Sequence, residues 1–258
     1  AEGKLQDPVV LEAEVRRMLK DPRSESLATK FGSQWLHLDE LDAMTPNLFH
    51  YPEWDLTLTE AMKREVELFF DSIVREDRNV LDLVTASDTF VNGRLARHYG
   101  LGHVFGTDFQ RVEFPEDYRR GLLGKGAILT LTSLADRTSP VYRGKWVMEV
   151  LMGTPPPPPP PNIPSFESTA GSENGRILTT RERMEEHRSN PTCNACHRLM
   201  DPIGLALDNF DVTGQWRSRE NGMSLDTRGT YYDDTPVNSP QELTEILLKR
   251  PIPIVRTF

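Results

Sequence analysis

Five consecutive residues, Cys193-Asn194-Ala195-Cys196-His197, have the types and spacing to bind a tetrapyrrole covalently. In a C-x-x-C-H run two thiols bond the porphyrin vinyl groups and the following imidazole takes the iron. Residues three apart on a helical turn face the same way, so Cys193 and Cys196 can reach one edge of a single porphyrin, with His197 beneath the metal. They are the only two cysteines in 258 residues. With six histidines in that length, His follows a given C-x-x-C by chance about once in forty. The motif therefore predicts one covalent haem c, with Cys193 and Cys196 as attachment points and His197 as proximal ligand. The other ring nitrogen of such a ligand normally donates to an acceptor, and the carbonyl of Pro202 or Ile203 lies within reach along the chain.

The sixth ligand position has several candidates. Met200 follows His197 by three residues and shares its helical face, so it falls on the same side of the ring. His187 lies six residues before the first thiol, beyond the Asn190-Pro191 break, where the chain can fold over the opposite haem face. His98, at the end of a helix in the first half, and Met223, in a polar turn, are the runners-up. Arg137, Arg143 and Lys145 are candidates for pairing with the haem propionates, bidentate in the case of Arg. Asp201, Asp208 and Asp211 lack the twelve-residue loop and terminal Glu of a calcium site and read as turn and cap residues. Trp216 is either a cover for a haem edge or ordinary core. No residue is assigned a catalytic role.

Two readings without haem compete. A thioredoxin-like redox pair needs a strand before the C-x-x-C and a sheet to hold it, whereas a helix and a proline break precede Cys193. A Cys2His2 zinc site would need His187 as its fourth ligand.

The acidic balance, a formal net charge of −9 and a pI near 5.3, excludes a phosphate-binding surface for nucleic acid. It suits a redox partner with a cationic surface, or a neighbouring subunit of a complex. No apolar run reaches 18 residues, so no transmembrane segment is expected. Haem is attached on the outer face of the bacterial inner membrane, which places the chain in the periplasm, outside the cell, or membrane-associated on that outer face. Both ends read as cut: Ala1 replaces an initiator Met, and residues 252–258 form an apolar run with no evident packing partner.

The elements that must position the motif are helical. Asp7-Pro8 caps a helix over 9–20, and a second spans 27–38. Thr59 caps the strongest, 60–76, with Val66, Phe69, Phe70 and Ile73 at helical steps. Shorter helices follow at 80–84 and 90–99, with Gly100 as a left-handed cap. Residues 105–114 turn strand-like, and helices resume at 118–131 and 139–152 around a polar turn at 132–138. Seven prolines, 155–161, make a polyproline II spacer about 20 Å long. A polar stretch, 165–175, precedes a helix over 179–188 that leads into the motif. A hairpin around Gly229 (223–235) and a helix over 240–249 complete the chain. The fold class is mainly α: a helical N-terminal domain (1–120), a small helical c-type haem domain (121–220) containing the 155–161 spacer, and a C-terminal piece (221–258) with the short β-hairpin and the start of a truncated helical segment.

Several segments share one pattern: Leu95-Ala96-Arg97-His98-Tyr99-Gly100, Arg137-Thr138-Ser139-Pro140-Val141-Tyr142-Arg143-Gly144-Lys145-Trp146, Gly153-Thr154 with the proline run, His187-Arg188-Ser189-Asn190-Pro191-Thr192, Asp201-Pro202-Ile203-Gly204, and Asp208-Asn209-Phe210-Asp211. Over nearly its whole length the chain resembles the planctomycete-type cytochrome c family, large secreted bacterial proteins built of consecutive domains of unknown function. The resemblance implies a haem and a His at the place of His187. It also implies further chain beyond both ends. The expected function is a monohaem electron-transfer protein or module of a larger chain or complex. The alternatives are an assembly subunit with an accessory haem, and a peroxidase-type enzyme should the sixth site be open.

Overall fold

The computed structural model describes residues 3–158, 172–173, 176–177, 179–189 and 191–258. The first half is helical with one small ribbon. Helix α1 (Pro8–Lys20) opens on Asp7, whose carboxylate accepts from the Val9 amide at 2.9 Å, with Pro8 in the first turn. A π-helical stretch, Leu27–Gly32, runs into α2 (Ser33–Trp35). Helix α3 (Leu56–Arg75) turns Leu58, Met62, Val66, Phe69 and Ile73 into the core at helical spacing.

The cap of α3 is Asp55, not Thr59: its Oδ1 accepts from the Leu58 amide at 2.8 Å and from the Thr57 hydroxyl at 2.6 Å. Thr59 lies one turn inside, buried, donating to the Asp55 carbonyl. Either residue satisfies the capping preference, but the apolar face already begins at Leu58. Asp55→Ala is expected to cost about 1 kcal/mol, read as a lower urea midpoint at unchanged slope.

After α4 (Asp82–Thr85), strand β1 (Asp88–Val91) pairs antiparallel with β2 (Gln110–Glu113). Phe90, expected in a helix, is in β1 opposite Arg111, whose guanidinium lies 5.7 Å from the Phe90 ring centroid. The helix that follows, α5 (Gly93–Tyr99), starts three residues later because Asn92 caps it, accepting from the Leu95 amide. Gly100 closes it at φ 77°, as the sequence suggested. The expected long helix over 118–131 is instead a 3₁₀ turn, Leu122–Gly124, and the short α6 (Gly126–Leu131). Gly121 interrupts it at φ 44°, ψ −147°, a conformation only glycine takes readily, with the Leu83 carbonyl 2.3 Å from where a Cβ would stand.

The second half carries α7 (Pro140–Trp146), extended by a π turn, Val147–Leu151. Residues 155–158 have no regular structure, and 159–161 lie outside the described residues, as does most of the polar stretch 165–175. A two-residue ribbon, β3 (Ser172–Glu173) with β4 (Arg176–Ile177), precedes α8 (Thr180–Arg188) and α9 (Pro191–Ala206). The expected single hairpin is two. Strands β5 (Arg219–Glu220) and β6 (Met223–Ser224) turn on Asn221 and Gly222, both at positive φ, and β7 (Gly229–Thr230) pairs with β8 (Pro236–Val237). Asn-Gly is the signal for such a turn.

Helices α10 (Pro240–Lys249) and α11 (Ile252–Thr257) follow. The terminal apolar run is packed after all: Ile254 is buried, and the Phe258 ring sits 5.9 Å from both Trp35 and Phe70. No described helix is long and apolar enough to cross a membrane.

One hydrophobic cluster runs from Ala28 through α3, α6, α7 and α9 to Ile254. At its centre the fully buried Glu65 accepts from the Tyr99 hydroxyl at 2.7 Å and the Thr89 hydroxyl at 2.6 Å, with the Lys125 ammonium 3.6 Å away. Burial pulls the Lys125 ammonium down to about 8.

Candidate functional site

The motif helix is set in place by glycines. A Cβ on Gly144 of α7 would stand 2.0 Å from the Met200 carbonyl oxygen of α9, and one on Gly204 would stand 1.7 Å from the Pro140 carbonyl oxygen. The two helices thus cross antiparallel with backbone against backbone, and only glycine fits at either contact.

Arg143, between those contacts, completes the fixation. Its guanidinium is buried and donates to the carbonyls of Leu207, Phe210 and Asp211 at 2.7–2.8 Å and to the Ser133 hydroxyl at 3.2 Å. It therefore ties down the chain just past α9, with both terminal guanidinium nitrogens taken up by the protein itself. Burial lowers it to about 10 despite the neighbouring Asp208. Of the other propionate candidates, Arg137 pairs with its neighbour Asp136 at 3.1 Å. Lys145 is half-exposed, 3.8 Å from Glu149.

Helix α8 leads into the motif from a capping box. The Glu182 amide donates to the Thr179 hydroxyl and the Thr179 amide to the Glu182 carboxylate, while Thr180 is held by Glu220. The chain breaks after Arg188, and α9 restarts with Pro191 at its first position. The C-x-x-C-H run therefore lies wholly on one helix. Cys193 is buried, Cys196 is half-buried against the core, and both thiols are free.

His197 is one turn before Asp201, and its Nδ1 donates to the Asp201 Oδ1 at 2.9 Å. The acceptor is thus a carboxylate, not the carbonyl of Pro202 or Ile203. Asp201 has no exposed surface, and its second oxygen makes no hydrogen bond but lies 3.8 Å from the Arg188 Nε. The sequence pointed to a turn or cap role for Asp201, whereas the structure puts it against the His197 ring. The i, i+4 spacing from His197 was the available signal.

His187 is brought to the motif. Its ring centroid is 4.6 Å from that of His197, at 67°. Two imidazoles sharing a metal, at nitrogen–metal distances of about 2 Å, keep their centroids roughly 6 Å apart. The rings therefore touch where a metal would separate them, and taking His187 as the distal ligand requires them to open by about 1.5 Å.

The runners-up are placed elsewhere. Both ring nitrogens of buried His98 are engaged, Nε2 donating to the Thr213 carbonyl at 2.8 Å and Nδ1 facing the Gln215 amide at 3.2 Å, so neither is left for iron. Burial lowers the His98 pKa, in keeping with a neutral ring. Met223 is in β6, opposite Glu220, and Met200 is buried at the α7 crossing. Trp216 stacks on Tyr118 at 3.9 Å and meets Phe210 edge-on, an ordinary aromatic cluster. Asp208 accepts from Thr138 and Arg217, and Asp211 accepts from the amides of Thr213 and Gln215, the turn and cap roles expected of them.

The donor set fits a covalent haem. It offers two free thiols a turn apart, and an imidazole whose Nδ1 is already committed, leaving Nε2 as its lone pair. Among the described residues no group of three or more His, Cys, Asp or Glu side chains is disposed to hold a metal ion, so the Cys2His2 zinc arrangement is not assembled. The thioredoxin-like alternative falls with the fold, since a helix precedes the C-x-x-C and every described sheet has two strands.

Comparison with known families matches two consecutive stretches. Residues 119–220, which contain the whole motif, match the family model PSCyt3, described as a protein of unknown function (DUF1588). Residues 1–101 match PSD4, a protein of unknown function (DUF1592). Both are domain families of the planctomycete cytochrome c type. No curated protein and no solved structure matches the chain.

Proposed function

We propose that this chain is a monohaem c-type cytochrome module that carries single electrons, working outside the cytoplasm as part of a larger chain or complex. The observation that carries this reading is the arrangement on α9, where Cys193, Cys196 and His197 occupy one helix and Asp201 commits the His197 Nδ1. Haem, when bound, supplies a one-electron iron couple. The chain's own residues do the rest. Cys193 and Cys196 would attach the porphyrin, His197 Nε2 would provide the proximal ligand, and α7 fixes the helix through Gly144, Gly204 and Arg143.

His187 is the proposed distal ligand, since α8 delivers its ring beside His197. Arg137 and Lys145, partly exposed, remain the proposed propionate partners, whereas the Arg143 guanidinium is already taken up by backbone carbonyls. The net charge of −9 favours a partner that docks with a cationic face.

A reduced-minus-oxidised spectrum of the purified chain tests the reading. A c-type band that survives acid–acetone extraction is the expected result, and a colourless protein with two free thiols overturns it. His187→Ala should then turn a six-coordinate low-spin spectrum high-spin and let the reduced form bind carbon monoxide. An unchanged spectrum assigns the distal position to another residue.

A further inference from the structure

The acceptor on His197 is a charged group where an uncharged carbonyl would have sufficed to orient the ring. Nδ1 and the Asp201 Oδ1 are 2.9 Å apart across one turn of α9, and Asp201 has no solvent contact to screen it. Its other oxygen makes no hydrogen bond, and the Arg188 Nε lies 3.8 Å from it. Arg188 is the residue next to His187. A single buried carboxylate therefore holds the proximal imidazole and faces the end of the helix that carries the proposed distal one.

We infer that Asp201 is the positioning residue of the site, fixing the His197 ring with Nε2 bare, and that its charge sets the iron's potential low, with Arg188 partly offsetting it. The inference rests on the haem reading above. An anion hydrogen-bonded to the ligand makes the imidazole more basic and favours the more highly charged state of the metal, the oxidised one. A cation near the same carboxylate works in the opposite sense. The protein is thereby a low-potential carrier, suited to a donor that is itself strongly reducing.

The two residues predict shifts of opposite sign, which a merely structural lesion would not give. Asp201→Asn keeps the size and an acceptor oxygen but removes the charge. It should raise the ratio of reduced to oxidised iron at fixed potential at least tenfold, a positive shift of about 59 mV or more. Arg188→Gln should move the midpoint negative. A wild-type haem protein whose midpoint is unmoved, or moves negative, on Asp201→Asn overturns this inference alone.

A second measurement stands even if Asp201→Asn fails to take up haem. In the full chain produced without haem, nitrogen NMR should find His197 protonated at Nδ1 and bare at Nε2, a pattern lost in Asp201→Ala. Protonation at Nε2 in the wild type overturns the positioning role. A wild type that never acquires colour instead overturns the haem reading, and the claim about potential goes with it.

Discussion

Replacing Cys193 and Cys196 together by Ala is expected to yield a chain with no covalently held pigment, whose mass is that of the bare polypeptide. The two thiols are the only ones in the sequence, and both are free on one face of α9. No other side chain can form a thioether, so the loss should be complete. The single variants should differ from the double one. Each leaves one sulfur in place and should retain pigment through a single bond, at reduced yield. Cys193 is the more deeply buried, so Cys193→Ala should also cost about 1 kcal/mol of packing. Haem staining after denaturing electrophoresis, with intact mass, reads all three. Covalent pigment surviving in the double variant would sink the assignment.

The second large effect comes from adding a single methyl group at the α7–α9 crossing. Overpacking a well-filled core usually costs about 1–3 kcal/mol. At Gly204 the new carbon would stand 1.7 Å from a carbonyl oxygen, and at Gly144 2.0 Å. Both obstacles are backbone, which cannot rotate away as a side chain can. Gly204→Ala and Gly144→Ala should therefore lose about 3 kcal/mol or more, seen as a fall in the urea midpoint. Because α9 carries the attachment residues, haem content should fall with stability. Gly102→Ala is the control: nothing lies within 4 Å of its Cβ position, and its effect should stay within about 0.5 kcal/mol. Equal tolerance at Gly102 and Gly204 would mean the helices do not cross this closely.

What could be read in advance was local. Ser139-Pro140 and the Thr179 capping box announce their helices because the cap and the first turn are neighbours in sequence. The C-x-x-C-H run is legible for the same reason. Misreadings arose where a distant contact decides. Phe90 has helical neighbours in sequence, yet its place is fixed by Arg111, twenty-one residues on. Arg143 reads as a cation free to pair with a propionate until the carbonyls of Leu207, Phe210 and Asp211 arrive to surround it. The apolar terminal run lacked a partner only because Trp35 and Phe70 are far away along the chain. Asp201 is a different case, since a short-range signal, its four-residue spacing from His197 on one helix, was present.

The buried grip of His98 on the Thr213 carbonyl at 2.8 Å, and of the Gln215 side-chain amide on the His98 carbonyl at 3.2 Å, bears on how such chains can diverge. Two stretches recognised as separate families share these bonds, so neither is free to drift or be exchanged by itself. A chimera grafting the first stretch of one relative onto the second stretch of another inherits a ring shaped for a loop it no longer has. An exchange at this seam should cost stability unless the loop at 213–215 travels with His98.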